Sequence, residues 1–465
     1  MNVFWLTFLA TLAVTITILL LFFVSYRFLF KKMAGRIIRL ILTETYSKNI
    51  WELISSGMLR FKPQKIVEMA LRAEEKEGIV RSLGSPKKMV GFEGLMFLPA
   101  QLAVMPTKED YHIQTKTVIG PRAERPLQLE IPLLIGGMGA GTGVSERIKL
   151  AIAKGATAAG TATNTGDGPF LPEERKWADK LVVQYSQAGW IRDPQELEQA
   201  DMIEIRVGSG ASAGISYESP LQRMSEASRQ WKGLQPGGPA RIRSRIPGVD
   251  RPENWRELVA NLREMTGGVP IGVKLVPSRV EEDIECALDA DVDFITIDGA
   301  QAGIKESAPI LQDDFGLPTL RGLVRTVKVL REKRALQRVS VIVSGGLYTP
   351  GDYLKAIALG ADAVALGTTV LLAAIHTQIT KVLPWEPLSQ LAWAEGDFAN
   401  RLDVEKAARN VANLLRSSVE EMKIAVTCLG KKAIHEVNQD DLVALDPFTA
   451  RIAEVPLAYE RSSGS

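Results

Sequence analysis

Eight short apolar runs between residues 131 and 368 most constrain what this chain can become. They are "IPLLIGG" (131–137), "ATAAGTAT" (156–163), "KLVVQYS" (180–186), "DMIEIRVG" (201–208), "IGVKLV" (271–276), "VDFITIDG" (292–299), "VSVIVSGG" (339–346) and "DAVALGT" (362–368). Most are unbroken rather than alternating, as strands covered on both faces are. Several intervals between them, such as "SERIKLAIAKGA" and "VEEDIECALDADV", have helical periodicity. Strand–helix alternation predicts a parallel sheet, and eight units predict a closed (β/α)8 TIM barrel, an α/β fold. A doubly wound open sheet is the structural alternative. The interval between runs four and five is too long for a plain helical crossover. It contains "LQPGGPARIRSRIPGVDRPENW", and long irregular excursions in compact domains are commonly lids or binding loops.

In such a barrel the active site sits at the C-terminal ends of the strands, often with a phosphate beside the loops after strands seven and eight. Those places hold Ser344-Gly345-Gly346 and Gly367-Thr368. A phosphate needs several backbone N–H donors at close approach, which glycine permits, and the two hydroxyls add to them. The residues do not distinguish a flavin phosphate from a sugar phosphate. Run one ends in "GGMGAGTG" (136–143), where a flat ring can lie against the main chain and Met138 offers a soft apolar contact. Run two ends with Asn164, Thr165 and Asp167, run three carries Gln184, and run five carries Lys274 inside "IGVKLV". A lone cation in an apolar strand is costly unless it faces a site or a partner.

The remaining composition excludes several alternatives. Net charge is +2, so no bulk electrostatic attraction points to nucleic acid. Two cysteines, Cys286 and Cys428, are too few for a four-cysteine iron–sulfur cluster. The histidines His112, His376 and His435 show no metal-ligand spacing, so no metal site is expected. Residues 3–24 contain no charge, which suits a bilayer-spanning helix. Arg27, Lys31, Lys32, Arg36 and Arg39 follow. By the positive-inside rule that flank faces the cytoplasm. The expectation is a single-pass anchor in the inner (cytoplasmic) membrane with the catalytic domain in the cytoplasm. The expected organisation is an anchor at 1–26, a juxtamembrane helical segment at 27–84, the barrel with its N-terminal extension at 85–450, and a flexible tail at 451–465.

Over roughly residues 85 to 445 the chain resembles the FMN-binding synthase domain of glutamate synthases, in a short single-domain version. The stretches that carry the resemblance are "FLPAQL", "VIGPRA", "GGMGAGTGVSERIKLAIAKGA", "TNTGDGP", "GVKLV", "SGGLYTPGDYLKAIALGADAVALGTTVLLA" and "VANLLRSSVEEMKIAVTCLG". The resemblance implies FMN in a (β/α)8 barrel. It implies flavin contacts at Gly137, Met138, Gly139, Asn164, Gln184 and Lys274, and phosphate contacts at Ser344, Gly345, Gly346, Gly367 and Thr368. It implies that reduced FMN reduces an imine of 2-oxoglutarate and ammonia to glutamate. Lys274 would be the catalytic residue, holding the substrate or polarising the imine. Arg206, Asp298 and Gln301 are the candidate substrate-binding residues. This chain has an apolar segment where the family's amidotransferase domain stands, and it lacks the family's cluster cysteines. Electrons are therefore expected from a partner protein or from reduced nicotinamide.

Three readings of function follow: a membrane-anchored FMN oxidoreductase acting on CH–NH2 donors, a non-catalytic or partner-dependent flavin subunit of a membrane complex, and a non-redox phosphate-binding barrel.

Overall fold

The computed structural model describes residues 2–42, 57–74, 78–141, 143–187, 193–214, 217–219 and 240–459. They divide into two compact units, Met1–Ile79 and Val80–Ser465.

In the first unit one helix, Asn2–Leu42, runs unbroken through the boundary expected at residue 26. No proline or helix-capping signal interrupts the apolar span and its basic flank. Within the span, the hydroxyls of Thr7, Thr11, Thr15 and Thr17 donate to carbonyls one turn back, those of Val3, Thr7, Thr11 and Ala13, at 2.8–2.9 Å. These four hydroxyls are thus satisfied within the helix itself. Part of the expected juxtamembrane segment lies outside the described residues. A second helix follows at Pro63–Glu74.

The second unit is the barrel. Its eight parallel strands are β1 (Leu133–Ile135), β2 (Ala162–Asn164), β3 (Lys180–Tyr185), β4 (Met202–Arg206), β5 (Ile271–Leu275), β6 (Phe294–Asp298), β7 (Ser340–Ser344) and β8 (Ala363–Leu366). Hydrogen-bonded neighbours run β1-β8-β7-β6-β5-β4-β3-β2. The ring closes between β1 and β2 without a ladder, through the Thr161 hydroxyl donating to the Leu133 carbonyl at 2.5 Å. The first strand thus neighbours both the last and the second, and this rules out the open sheet. The run expected at 156–163 is only half strand. Ala156–Ala159 belongs to helix Glu146–Ala159, which Gly160 ends in a left-handed cap, and β2 starts at Ala162. Alanine favours helix, and Gly160 decides the border.

Alternation in each strand divides the barrel's two faces. Leu133, Ile135, Leu181, Val183, Ile203, Ile205, Val341 and Val343 join the outer core under the helices. Leu134, Ala162, Val182, Met202, Phe294, Ile342 and Ala363 face inward and form a separate apolar plug. An antiparallel hairpin, Thr117–Ile119 with Leu127–Leu129, closes the base and adds Ile119, Leu127 and Leu129 to that plug. Phe294 fills the middle. A Cβ at Gly272 would stand 2.5 Å from its ring, which accounts for the glycine in "IGVKLV".

The ends of the unit are tied together. Strand Leu95–Phe97 pairs with Leu442–Ala444, so "FLPAQLAVMP" begins as strand before becoming loop. The expected tail is ordered as far as the described residues reach: helix Pro447–Ala453 follows, and Ala444 bridges Leu457. Buried Val455 and Ala453 hold it down. Of the long excursion, Tyr217–Ser219 and Ala240–Ile242 pair as an antiparallel stem, and residues 220–239 lie outside the described residues.

Removing the ring that fills the plug leaves a cavity that eight strands cannot collapse into. Phe294→Ala is expected to cost about 3–5 kcal/mol, read as a fall in denaturation midpoint with an unchanged far-ultraviolet spectrum.

Candidate functional site

Above the plug the same inward rows turn polar. Asn164 on β2, Gln184 on β3, Glu204 and Arg206 on β4, Lys274 on β5, Thr296 and Asp298 on β6, and Ser344 on β7 are all buried. The strands read as unbroken because both faces are covered, yet every second residue near their C-terminal ends is a functional group.

Glu204 is the hub of the lower polar layer. Its Oε1 accepts from Asn164 Nδ2 at 3.1 Å and Gln184 Nε2 at 2.8 Å, and its Oε2 accepts from the Thr296 hydroxyl at 2.8 Å. Burying a carboxylate is costly unless its oxygens are so supplied with donors. Asp298 does the same one layer higher. Its Oδ2 lies 3.3 Å from Lys274 Nζ and accepts from the Gly210 N–H at 3.0 Å, while Oδ1 accepts from the Ser344 hydroxyl.

Lys274 stands next to Arg206, its partner in the β4–β5 register. Burial alone pushes the Lys274 ammonium down. The carboxylates of Asp298 and Glu204 outweigh burial and the repulsion from Arg206, and its pKa ends above the usual lysine value. Lys274 is therefore a cation at neutral pH. Arg206 Nη2 donates to the Ser212 hydroxyl at 3.2 Å, and Nη1 lies 4.0 Å from Asp167 Oδ2. Buried Nη1 has no hydrogen-bond partner.

The polar layers open into a cavity lined by Gly137, Met138 and Gly139 on one side and by Ser344, Gly345, Gly346, Gly367 and Thr368 on another. Gly345 has φ +97°, a conformation open to glycine, and a Cβ there would press on the Gly299 carbonyl oxygen at 3.0 Å. Gly166, with φ +64°, packs where a Cβ would lie 2.4 Å from the Gly139 nitrogen, so the loop after β2 rests directly on the loop after β1. Thr368 opens helix Thr368–Ile375, whose first-turn N–H groups have no intrahelical acceptors. Gly345 and Gly346 border the same cavity as this helix start, and helix N-termini beside glycine turns are places where a phosphate can be held.

Of the residues singled out from the sequence, Gly137, Met138, Gly139, Gln184, Arg206, Lys274, Asp298, Gln301, Ser344, Gly345, Gly346, Gly367 and Thr368 all line this one cavity. Three have duties other than those expected. Asn164 does not line it: its Nδ2 serves Glu204, and its Oδ1 accepts from the Gly166 N–H at 2.9 Å, so it shapes the turn. Gln301 spends both ends of its amide on backbone, accepting from the Thr319 N–H at 2.7 Å and donating to the Val90 carbonyl at 3.1 Å. It braces the rim rather than offering a polar group to a substrate. Ser344 donates its hydroxyl to Asp298, so a phosphate there would depend on backbone donors.

The sequence reading missed Glu204, although the argument that singled out Lys274 applies equally to a carboxylate inside "DMIEIRVG". It also missed Tyr348, Trp393 and Lys305 on the rim, the last 2.6 Å from Glu395. Tyr348 follows Gly346 by two residues, while Trp393 and Lys305 come from loops distant in the chain, where no local pattern marks them.

The model of the conserved region in glutamate synthase matches residues 84–432. The chain belongs to the glutamate synthase family. A glutamate synthase large subunit-like protein of Rhizobium meliloti (strain 1021) is 34% identical over 399 residues, covering 82% of this chain and 90% of that one. The archaeal-type glutamate synthase [NADPH] of Thermotoga maritima is 30% identical over 335 residues, or 71% of this chain. This chain spans 64% of that relative's length. Among solved structures, a variant flavocytochrome b2 with pyruvate bound superposes with a TM-score of 0.50 at 17% identity, over 83% of this chain and 87% of that one. The likeness supports the barrel fold.

The residues present fit FMN, the cofactor of this family of barrels. The glycine turn at Gly345 and Gly346, beside the helix start at Thr368, suits a phosphate dianion. The Gly137–Met138–Gly139 main chain would leave room for a flat ring, and Lys274, a donor, and Gln184, whose Nε2 is held by Glu204, line the same cavity.

The Lys274–Asp298 pair has a defined pH signature. Its folded pKa lies above the unfolded value of about 10.4, so its stabilisation is complete below that pH and is lost as pH rises through the folded value. Lys274→Met, which strands buried Asp298, is expected to cost about 3–5 kcal/mol. Thermal melts should show a constant deficit from pH 6 to 9 that shrinks only above about pH 10.4; a deficit that titrates near neutrality would contradict the assignment.

Proposed function

We propose that this chain is a membrane-anchored FMN-dependent oxidoreductase that reduces an imine formed from a 2-oxo acid, 2-oxoglutarate or a close relative, and ammonia or an amine. One observation carries the substrate reading. Lys274 and Arg206 are like charges side by side in the sheet, and one buried guanidinium nitrogen of Arg206, 4.0 Å from Asp167, makes no hydrogen bond. Adjacent like charges and an unmet buried donor both cost stability. An anionic substrate relieves both.

In this reading FMN, when bound, supplies a two-electron reductant to an electrophilic carbon beside it. The chain's own residues do the rest. Arg206 binds the substrate carboxylate through Nη1, with Ser212 and Asp167 holding the guanidinium in place. Lys274, kept as an ammonium by Asp298 and Glu204, donates a hydrogen bond to the imine nitrogen and stabilises the charge that develops during reduction. It can also return a proton to that nitrogen. Gln184, oriented by Glu204, fixes the polar edge of the ring. The apolar plug below excludes water from the underside.

The electrons come from a partner protein or from reduced nicotinamide, since the chain's two cysteines cannot hold a four-cysteine cluster. The first helix is long and apolar enough to cross a bilayer, and none of its apolar window is buried in protein. The basic flank from Arg27 to Arg39 supports insertion in the cytoplasmic membrane with the barrel on the cytoplasmic side.

The test is a spectrum of the detergent-purified chain before and after acid release of its cofactor. The expected result is FMN near one per chain. A chain that takes up no flavin on reconstitution would overturn the reading. Arg206→Leu is then expected to keep its flavin while KM for the 2-oxo acid rises about 10- to 100-fold, the loss of one charge-assisted hydrogen bond.

A further inference from the structure

Helix Pro63–Glu74 has a division that neither the barrel nor the redox site uses. Taken around the helix at 100° per residue, one arc carries Met69, Ala73, Ile66, Ala70, Val67 and Leu71, with Pro63 at the start of the helix and Glu74 at its last residue on the same side. The opposite arc carries Gln64, Lys65, Glu68 and Arg72. The polar arc is internally bonded. Gln64 Nε2 donates to Glu68 Oε1 at 3.1 Å, and Arg72 lies 3.5 Å from Glu68. The apolar arc is bare: Val67 is 57% exposed and Met69 49%, and the helix buries none of its residues. A dozen-residue helix of this kind is marginal in water without something to cover its apolar face.

We propose that the apolar face of Pro63–Glu74 lies in the headgroup region of an anionic bilayer, making this helix a second, peripheral attachment beside the N-terminal anchor. Three observations choose lipid as the occupant. The segment from Met58 to Glu74 carries four cations, Arg60, Lys62, Lys65 and Arg72, against two acids, Glu68 and Glu74, and a cationic amphipathic helix binds anionic lipid. Leu59 and Phe61, which precede the break at Lys62, are exposed as well and add apolar side chains to the segment. Finally, the membrane is within reach. Helix Asn2–Leu42 continues 18 residues past Val24, about 27 Å at 1.5 Å per residue. The 15 residues from 43 to 57 can extend about 50 Å, enough to return to the surface. A tethered helix needs only weak intrinsic affinity, because the anchor makes binding intramolecular.

This inference rests on the anchoring reading, and the experiment separates the two. The full chain, with Cys286→Ser and Cys428→Ser, is placed in nanodiscs containing phosphatidylglycerol. Nitroxide labels are introduced one at a time through Leu20→Cys, Ile66→Cys, Met69→Cys and Glu68→Cys, and collision with oxygen and with a water-soluble nickel chelate is measured by electron paramagnetic resonance. The expected result is that labels at 20, 66 and 69 favour oxygen, that 20 lies deepest, and that 68 favours nickel. If 20 favours oxygen while 66 and 69 behave like 68, or are shielded from both reagents by protein, the peripheral attachment is wrong and the anchor stands. If 20 favours nickel, the anchor itself is wrong and the attachment falls with it.

Discussion

The arrangement of the barrel mouth depends on one buried carboxylate. Glu204 draws hydrogen bonds from Asn164, Gln184 and Thr296, on three different strands, into the axis of the barrel. A carboxylate in that position is tolerable only because each oxygen is supplied, and the supply fixes the side chains that provide it. Asn164, so held, accepts from the Gly166 N–H and sets the turn that carries Gly166 onto Gly139. Gln184, so held, presents the other half of its amide to the cavity. The same negative charge, together with Asp298, keeps Lys274 protonated against the pull of burial. Asn164, Gln184 and Lys274 are thus all set by a group that does not itself line the cavity.

The barrel separates its labours by height. Its lower interior is a dry plug around Phe294, closed underneath by the hairpin at 117–129. Its upper interior is a stack of paired charges. The transition takes place within single strands: Met202, Glu204 and Arg206 pass from plug to hub to mouth in five residues of β4. A plug of hydrocarbon under a layer of charges lowers the local dielectric and strengthens each pairing above it. Stability and chemistry are therefore adjacent in the same strands.

This layering explains what could be read from the chain and what could not. Strand–helix rhythm and the glycine-rich ends of "VSVIVSGG" and "DAVALGT" are local patterns, and they located the barrel and one wall of its cavity. Lys274 betrayed itself as a charge in an apolar run. Glu204 carried the same signal in "DMIEIRVG" and passed unnoticed because Arg206, two residues on, read as the functional group. Gln301 and Asn164 were placed in the correct region with the wrong duty, since which atoms an amide meets depends on strands far away in the chain: Thr319 and Val90 in one case, Glu204 in the other. Trp393 and Lys305 reach the rim through loops, where no periodicity operates. The run at 156–163 is half helix, as its alanines favour, and Gly160 rather than apolar character marks the border.

The account stands or falls on the claim that the Glu204 carboxylate holds the cofactor seat together. The direct measurement is the FMN dissociation constant of the full-length chain and of Glu204→Gln, by quenching of flavin fluorescence, with melting temperatures taken alongside. The amide keeps the shape but cannot accept from all three donors, and each charge-assisted hydrogen bond lost is worth about 1.5–3 kcal/mol. The expected result is a folded variant whose FMN affinity falls about 10- to 100-fold. A folded variant that binds FMN as tightly as the unaltered chain would contradict the account.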